Sequence, residues 1–151
     1  MVYSLLARSY EEFISANPAF REQWLGDWTR YDEEVFSNPD TVGAAGFVTV
    51  VSGTPIGFGS YDPRQGPEWG IVGHNCILPE WRNKGYGRRQ VGRILDIFRE
   101  RGFKKAMVST CDHPFFVPAQ RMYLACGFVE TGRRLNEQTP EHRIIEYEMK
   151  L

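Results

Sequence analysis

The sequence is poor in cysteine and nearly neutral in net charge, and each of these shortages excludes a class of protein. Its three cysteines are scattered and lack C-x-x-C spacing, which argues against a disulfide framework and against a metal site. The formal net charge is −1, so no basic excess indicates a nucleic acid or an anionic membrane as partner. No apolar run approaches the length of a membrane span, and the apolar start of the chain is shorter than a signal peptide. We therefore expect a cytoplasmic protein without a metal ion.

Length and composition together predict a single domain over residues 1–151. Hydrophobic residues make up 42% of the chain, which is enough to bury one core but leaves no room for a second domain of similar size. The chain contains no repeat, linker or low-complexity tract at which a boundary would fall.

The pattern of apolar residues predicts a mixed α+β fold. Strands are expected over residues 2–7, 45–51, 56–61, 68–78, 105–111 and 145–151. Ser9-x-x-Glu12 has the form of a capping box that opens a helix ended by Pro18, and bulky residues at helical spacing follow over residues 20–35. Because strands first form a meander and later alternate with helices, we expect one mixed sheet with helices on its faces.

The most informative stretch is the glycine turn at residues 78–89, with the sequence LPEWRNKGYGRR. It follows a strand-like run and precedes an amphipathic helix, so the helix start leaves backbone N–H groups without acceptors. These donors, the helix dipole and the nearby basic side chains make an anion site, and a side chain at Gly85 or Gly87 would keep a phosphate away. The residues expected to bind a pyrophosphate-containing cofactor are Ile77, Leu78, Arg82, Asn83, Lys84, Gly85, Tyr86, Gly87 and Arg88.

Spacing separates the types of phosphate-binding turn. No window supplies the G-x-x-x-x-G-K-[ST] of a P-loop, and a dinucleotide fingerprint would need glycine where Gln90 stands. The remaining pattern, Arg82-x-x-Gly85-x-Gly87, resembles the coenzyme A signature of the GNAT superfamily of acyl-coenzyme A-dependent N-acyltransferases.

A second motif lies about thirty residues further on, over residues 118–128. It has helical periodicity and resembles the GNAT helix in which a tyrosine, here Tyr123, is followed after three residues by Gly-Phe. In that family the tyrosine hydroxyl lies near the coenzyme A sulfur. One departure is Phe116, because the family often has an asparagine seven residues before the tyrosine. The two motifs occur in the family's order and separation.

The resemblance covers residues 45–151 and more weakly the first forty. It implies a single mixed, mostly antiparallel sheet of six to seven strands with helices on both faces. It also implies an enzyme that transfers acetyl from acetyl-CoA directly to a primary amine of a small molecule or peptide. The alternative is a non-catalytic acyl-CoA-binding module that senses or regulates through protein contacts. Neither function requires a nucleic-acid or membrane partner, and a homodimer is left open.

The chemistry needs a proton donor and a proton acceptor. A departing thiolate gains from a donor within hydrogen-bond reach, and Tyr123 is the candidate, although an aromatic core residue is the alternative. An acceptor amine must lose a proton, because its pKa of about 10 keeps it charged at neutral pH. In this family a base often comes from the strand before the turn, so His74 or Glu68 is expected to act directly or through water, with His113 as the rival.

Aromatic side chains are the candidates for the acceptor site. By the resemblance, Trp24, Trp28 and Tyr31 come from the region that flanks the acceptor cleft, and Phe115 and Phe116 lie near its mouth. Exposed rings would suit an aromatic or cationic acceptor. An aromatic stripe at helical spacing is otherwise usually part of the core.

Overall fold

The computed structural model describes all 151 residues, which cluster into two compact units. Unit 1 comprises Met1–Ser60 with His74–Gln90, and unit 2 comprises Tyr61–Gly73 with Val91–Leu151. The expectation of a single domain over residues 1–151 stays a prediction. None of the helices is both long and apolar enough to span a membrane.

Five α-helices and six strands make up the chain. The helices are α1 (Val2–Ser9), α2 (Glu11–Ala16), α3 (Pro18–Ser37), α4 (Tyr86–Glu100) and α5 (Val117–Ala125). The strands are β1 (Gly46–Val51), β2 (Thr54–Asp62), β3 (Trp69–Ile77), β4 (Lys105–Cys111), β5 (Val129–Leu135) and β6 (Arg143–Lys150). Short 3₁₀ turns occupy Pro79–Trp81 and Pro114–Phe116.

The six strands form one sheet in the order β1-β2-β3-β4-β6-β5. The β1–β2, β4–β6 and β5–β6 pairs are antiparallel, whereas β3 and β4 are parallel. The prediction of a mixed, mostly antiparallel sheet is therefore confirmed, and the strand count is at the lower end of the expected six to seven.

The first expected strand is wrong, because residues 2–9 form helix α1. Its buried residues are Val2, Leu5, Leu6 and Ser9, which lie at the i, i+3, i+4, i+7 spacing of a helix face. A short apolar run does not distinguish a strand from a buried helix, and tertiary burial decides between them. Ser9 also does not cap α2: it ends α1, and Tyr10 occupies the N-cap position without a side-chain bond.

Strand β5 was not expected from the sequence. Six of its seven residues are exposed, including Val129 at 65% and Leu135 at 70%, so no alternation of buried and exposed residues marks it. It lies at the edge of the sheet and pairs only with β6. Pairing with a neighbour, rather than burial of a face, makes this segment a strand.

The elements that carry the two motifs agree with the sequence. Val91, Ile94, Leu95 and Phe98 form the buried stripe of α4, with exposed fractions between 0 and 3%. Strand β4 has the expected bounds, and a glycine with positive φ follows each motif helix, Gly102 after α4 and Gly127 after α5. The first motif therefore leads into α4, and the tyrosine of the second motif lies in α5.

Candidate functional site

The glycine turn of unit 1 has an unusual backbone. Strand β3 ends at Ile77, and two residues of the turn then adopt left-handed conformations, Asn83 with a φ of 60° and Gly85 with a φ of 83°. Helix α4 begins at the next residue. Turns that contain left-handed residues form concavities in which backbone N–H groups bind anions.

Gly85 is required by its conformation and leaves space beside it. Its φ lies in the region that side chains disfavour, and a Cβ added there would meet nothing within 4 Å. The first bond of α4 runs from the Arg89 N–H to the Gly85 carbonyl over 3.1 Å. Since the first four N–H groups of a helix have no acceptor within it, donors and open space occur together at this turn. A phosphate group fits this arrangement.

Exposed cations flank the turn. The Lys84 Nζ lies 5.0 Å from the Trp81 ring centroid and donates to the Glu80 carbonyl over 3.2 Å. The Arg89 guanidinium lies 5.7 Å from the Tyr86 ring. These cations lie at the positive end of α4, which favours a bound anion over an empty turn.

Arg82 contacts backbone carbonyls. Its Nε donates to the Ile77 carbonyl over 3.1 Å, and its Nη2 donates to the Ser9 carbonyl. The side chain is half-buried. The predicted contact between this guanidinium and a phosphate stays a prediction.

Gln90 is a residue whose role the sequence reasoning missed. It is 2% exposed, and its Nε2 donates to the Asn75 side chain over 2.6 Å and to the Cys76 carbonyl over 3.3 Å. Its Oε1 accepts from the Thr49 hydroxyl over 2.5 Å. The amide therefore connects β1 and β3 to the first turns of α4. The only signal in the sequence was a polar residue directly before the apolar stripe of that helix.

His74 is the candidate base in unit 1. Its ring lies 4.8 Å from the Tyr31 ring, and its backbone N–H donates to the Ser60 hydroxyl over 2.8 Å. Burial lowers the pKa of the imidazole, so the neutral form, which can accept a proton, is favoured at neutral pH. Burial also raises the pKa of Tyr31, opposed by a hydrogen bond with Ser60. Ser60 was not among the predicted site residues.

Glu68 differs from expectation in its position. Strand β3 begins at Trp69, so Glu68 lies before the strand and in unit 2, whereas His74 is in unit 1. Its side chain is exposed, and its Oε1 lies 2.5 Å from the Lys104 Nζ. The carboxylate therefore takes part in an exposed ion pair at the surface rather than in a buried site. Its catalytic role stays a prediction.

The predicted acceptor residues of unit 1 belong to an aromatic cluster formed by Tyr10, Phe13, Trp24 and Trp28. The Trp24 ring lies 5.0 Å from Phe13 and 5.6 Å from Trp28. Tyr10 stacks on Trp28 at 5.5 Å with an interplanar angle of 25°. Trp28 is 6% exposed while Trp24 is half-buried, so Trp24 offers more surface to a ligand.

The tyrosine of the second motif lies in α5 of unit 2. Tyr123 is 5% exposed, and its ring lies 6.0 Å from both the Phe128 and the Tyr147 rings. The Phe128 N–H donates to the Tyr123 carbonyl over 3.1 Å, and Gly127 has a φ of 101°. The Gly-Phe that follows the tyrosine thus turns the chain so that Phe128 packs against the Tyr123 ring.

Unit 2 also contains a histidine–aspartate cluster. Asp112 Oδ1 accepts from the Arg143 N–H over 2.9 Å and lies 3.1 Å from His142 Nδ1; the Arg143 N–H and then the His142 ring hold the pKa of this carboxyl below its usual value. The His113 and His142 rings lie 4.7 Å apart. Partial burial and the nearby His142 lower the pKa of His113. Sequence reasoning named His113 as a rival base but missed His142, which lies thirty residues after Asp112 in the chain.

Phe115 and Phe116 follow this cluster in a 3₁₀ turn. Their rings lie 5.0 Å apart, and both side chains are half-buried. The Phe115 N–H donates to His113 Nδ1 over 3.0 Å, so the neutral imidazole carries its proton on Nε2. Phe116 lies where the resembling family often has asparagine, and it offers a ring to a ligand rather than an amide.

Comparison with known proteins gives the family. The model of the GNAT acetyltransferase family matches residues 3–128, so the chain belongs to that family. No curated protein sequence matches the chain significantly.

Solved structures share the fold at low identity. A protein of Desulfovibrio desulfuricans described as a GNAT acetyltransferase superposes with a TM-score of 0.69 at 15% identity, covering 83% of this chain and 80% of that one. A chain of the NatC complex, solved with Gag peptide and CoA, has a TM-score of 0.65 at 20% identity, covering 82% and 79%. A Bacillus anthracis protein described as a streptothricin acetyltransferase, solved with acetyl coenzyme A, has a TM-score of 0.62 at 18% identity, covering 70% and 62%.

Proposed function

We propose that this protein is an N-acetyltransferase that moves an acetyl group from acetyl-CoA directly to a primary amine of a small molecule or peptide. The observation that carries the proposal is the glycine turn, in which Asn83 and Gly85 take left-handed conformations directly before α4 in a GNAT family member. Acetyl-CoA supplies the activated acetyl thioester. The protein's residues would bind acetyl-CoA, orient the acceptor amine and transfer protons.

The turn is the proposed cofactor site. Backbone N–H groups at the start of α4 would donate to the pyrophosphate, and the exposed Lys84 and Arg88 would neutralise its charge. The open space beside Gly85 lets a phosphate approach the backbone. The full proposed set is Ile77, Leu78, Arg82, Asn83, Lys84, Gly85, Tyr86, Gly87 and Arg88.

Two side chains have proposed roles in proton transfer. His74 would accept the proton that the amine loses as its nitrogen bonds to the acetyl carbon, because burial keeps this imidazole neutral. Tyr123 would donate a proton to the sulfur as the carbon–sulfur bond breaks. Glu68 remains a weaker candidate for the base because its carboxylate pairs with Lys104.

The acceptor is proposed to contact Trp24, Trp28, Phe115 and Phe116. Two structural neighbours, the one described as a streptothricin acetyltransferase and the NatC complex with its peptide, represent small-molecule and peptide acceptors respectively. We propose a cytoplasmic location, which suits three free cysteines, and a homodimer as an option.

A specific observation favours a second candidate, a non-catalytic acyl-CoA-binding module. Tyr123 is 5% exposed and packs against Phe128 and Tyr147, as a core residue would. In that case the turn would bind the cofactor while the tyrosine only stabilised the fold.

Release of free thiol from acetyl-CoA tests the proposal. A panel of aromatic amines, polyamines and peptides should identify at least one acceptor that accelerates release, and mass spectrometry should find that acceptor heavier by one acetyl group. Calorimetric titration with CoA measures binding separately from thiol release. Binding without release across the panel would support the module, and absence of binding would refute both functions.

A further inference from the structure

Arg82 connects two segments that are distant in the sequence. Its Nε donates to the carbonyl of Ile77, the last residue of β3, five residues before it. Its Nη2 donates to the carbonyl of Ser9, the last residue of α1, 73 residues before it. One guanidinium therefore joins the end of α1 to the start of the glycine turn.

The end of a helix is a favourable place for this contact. The last carbonyls of α1 receive no hydrogen bond from an N–H group within the helix, and they lie at the negative end of its dipole. Ser9 is 2% exposed, so its carbonyl has little access to water and needs a protein donor. A planar, permanently charged guanidinium can serve this carbonyl and that of Ile77 at the same time.

A second, weaker contact joins the same two segments. Arg8, the residue before Ser9, has its Nη2 2.9 Å from Glu80 Oε1, in the 3₁₀ turn that precedes Arg82. Both side chains are more than half exposed, so this ion pair contributes little to stability. Its presence shows that the two segments are adjacent over more than one residue.

The contact at Ser9 continues into the aromatic cluster. Tyr10 follows Ser9 directly, and its ring stacks on Trp28 and lies edge-on to Trp24 at 6.1 Å. Because a peptide unit is rigid, a shift of the Ser9 carbonyl would also shift the Tyr10 backbone. Arg82 is therefore linked to the rings proposed to contact the acceptor through its hydrogen bond to Ser9 and the ring contacts of Tyr10.

We propose that Arg82 is a positioning residue, which holds the end of α1, and with it the aromatic cluster, against the glycine turn. Ordering of the turn by a ligand then extends through Arg82 to the rings of the cluster. This role differs from that of a side chain that only contacts phosphate. It rests on the proposed function for the identity of the ligand and for the role of the rings, but the contact itself does not.

Hydrogen exchange of backbone amides tests the proposal without ligand. The full chain is exchanged and then digested, and mass spectrometry measures the exchange of each peptide. In Arg82→Ala, amides in peptides over residues 4–13 and 20–31 should exchange about tenfold faster, as expected for loss of a charged hydrogen bond. Lys84→Ala removes an exposed cation of the same turn and should leave these peptides unchanged. Peptides from β4 and β6 should match the wild type in both variants.

Arg82→Lys keeps the experiment decisive if the alanine variant does not fold. An ammonium retains the charge that a phosphate would need, but it lacks the planar fork that reaches two carbonyls. Accelerated exchange over residues 4–13 in Arg82→Lys, with an unchanged salt dependence of CoA binding, supports the positioning role. Wild-type exchange over residues 4–13 in both Arg82 variants would overturn it.

Titration with CoA tests whether a ligand bound at the glycine turn also slows exchange at the end of α1. In the wild type, bound CoA should slow exchange over residues 83–90 and also over residues 4–13. In Arg82→Ala at saturating CoA, protection should persist at 83–90, where the backbone N–H groups remain, and be lost at 4–13. If CoA protects residues 83–90 but never residues 4–13 in the wild type, the turn and the cluster are independent and the proposal fails. If CoA protects neither, the proposed cofactor site fails, while the ligand-free comparison still decides the contact.

Discussion

The glycine turn of unit 1 and helix α5 of unit 2 each carry one GNAT motif, but one motif acts through its backbone and the other through a side chain. The turn depends on backbone: Asn83 and Gly85 adopt left-handed conformations, and space lies open beside Gly85. Helix α5 depends on one side chain, Tyr123, which is 5% exposed among aromatic rings. The backbone conformation of the turn by itself indicates an anion site. A buried tyrosine, by contrast, is equally compatible with a catalytic and a structural role. Substitutions in the two regions should therefore have different consequences.

The largest expected effect is at Tyr123. Tyr123→Phe keeps the ring, so the free energy of unfolding and CoA affinity should change little. If the hydroxyl is the proton donor, kcat should fall about 10²–10⁴-fold with little change in KM. Steady-state kinetics on an acceptor limited by chemistry measure this. Tyr147→Phe is the matched control, since it removes the hydroxyl of the neighbouring buried ring and should retain turnover. Equal, small effects in both variants would make Tyr123 a core residue.

The backbone side of the comparison is tested at Gly85. Gly85→Ala places a methyl group in the open space and strains a residue with a φ of 83°, at a cost of about 1–2 kcal/mol in unfolding free energy. CoA affinity should fall about tenfold or more, because the methyl group keeps the phosphate from the backbone. Gly92→Ala is the control: it lies inside α4 with nothing near its Cβ, and should stabilise the fold by about 0.5–1 kcal/mol. Undiminished affinity in a folded Gly85→Ala variant would contradict the cofactor assignment. Denaturant unfolding and calorimetry provide both measurements.

The histidines extend the comparison to proton transfer. Burial lowers the pKa of His74 in unit 1, and partial burial with a nearby imidazole lowers that of His113 in unit 2. Whichever histidine is the base, kcat/KM should rise with pH through a value below about 6.5 as the ring becomes neutral. We expect His74→Gln to remove this acidic limb and His113→Gln to preserve it. Profiles measured on one acceptor decide, and loss of the limb only in the His113 variant would transfer the role to unit 2.

The smallest expected effect is on stability as a function of pH. The lowered pKa of His74 means that the unfolded state binds more protons below about pH 6.5, so unfolding free energy should fall as pH drops through that range. Asp112 also has a lowered pKa, but its contribution is present above about pH 3.9 and is lost only below it. Asp112→Asn should cost less than about 1 kcal/mol at pH 7, since its ion pairs are partly solvated. Denaturant unfolding at several pH values should show the His74→Gln effect in the upper window and the Asp112→Asn effect in the lower one.

The sequence predicted elements best where one face is buried. The stripe from Val91 to Phe98 gave α4, and β4 has the expected bounds, because burial on one face imposes a period on the sequence. Edge strand β5 has no buried face, so its sequence has no period to detect. The expected number of strands agrees only because β5, which the sequence does not predict, compensates for α1, which the sequence predicts as a strand.

Candidate site residues followed a similar division. The turn was found because glycine and basic residues at fixed spacing have a local physical reason. His142 was missed because its relation to Asp112 spans thirty residues and depends on the pairing of β4 with β6. In the sequence Gln90 stands only where a dinucleotide fingerprint would have glycine, and its hydrogen bonds to Thr49 and Asn75 exist only in the folded chain.

The sequence by itself determined the family motifs, the mixed fold class and the position of the glycine turn, because these depend on local spacing and on the chirality of the backbone. Only the tertiary structure decided that residues 2–9 form a helix, that Arg82 contacts the Ser9 carbonyl, and that the His74 ring lies half-buried beside Tyr31. Those outcomes depend on which distant groups meet and on how much water they lose. Burial and pairing across the chain are properties of the whole fold, and no local window of sequence contains them.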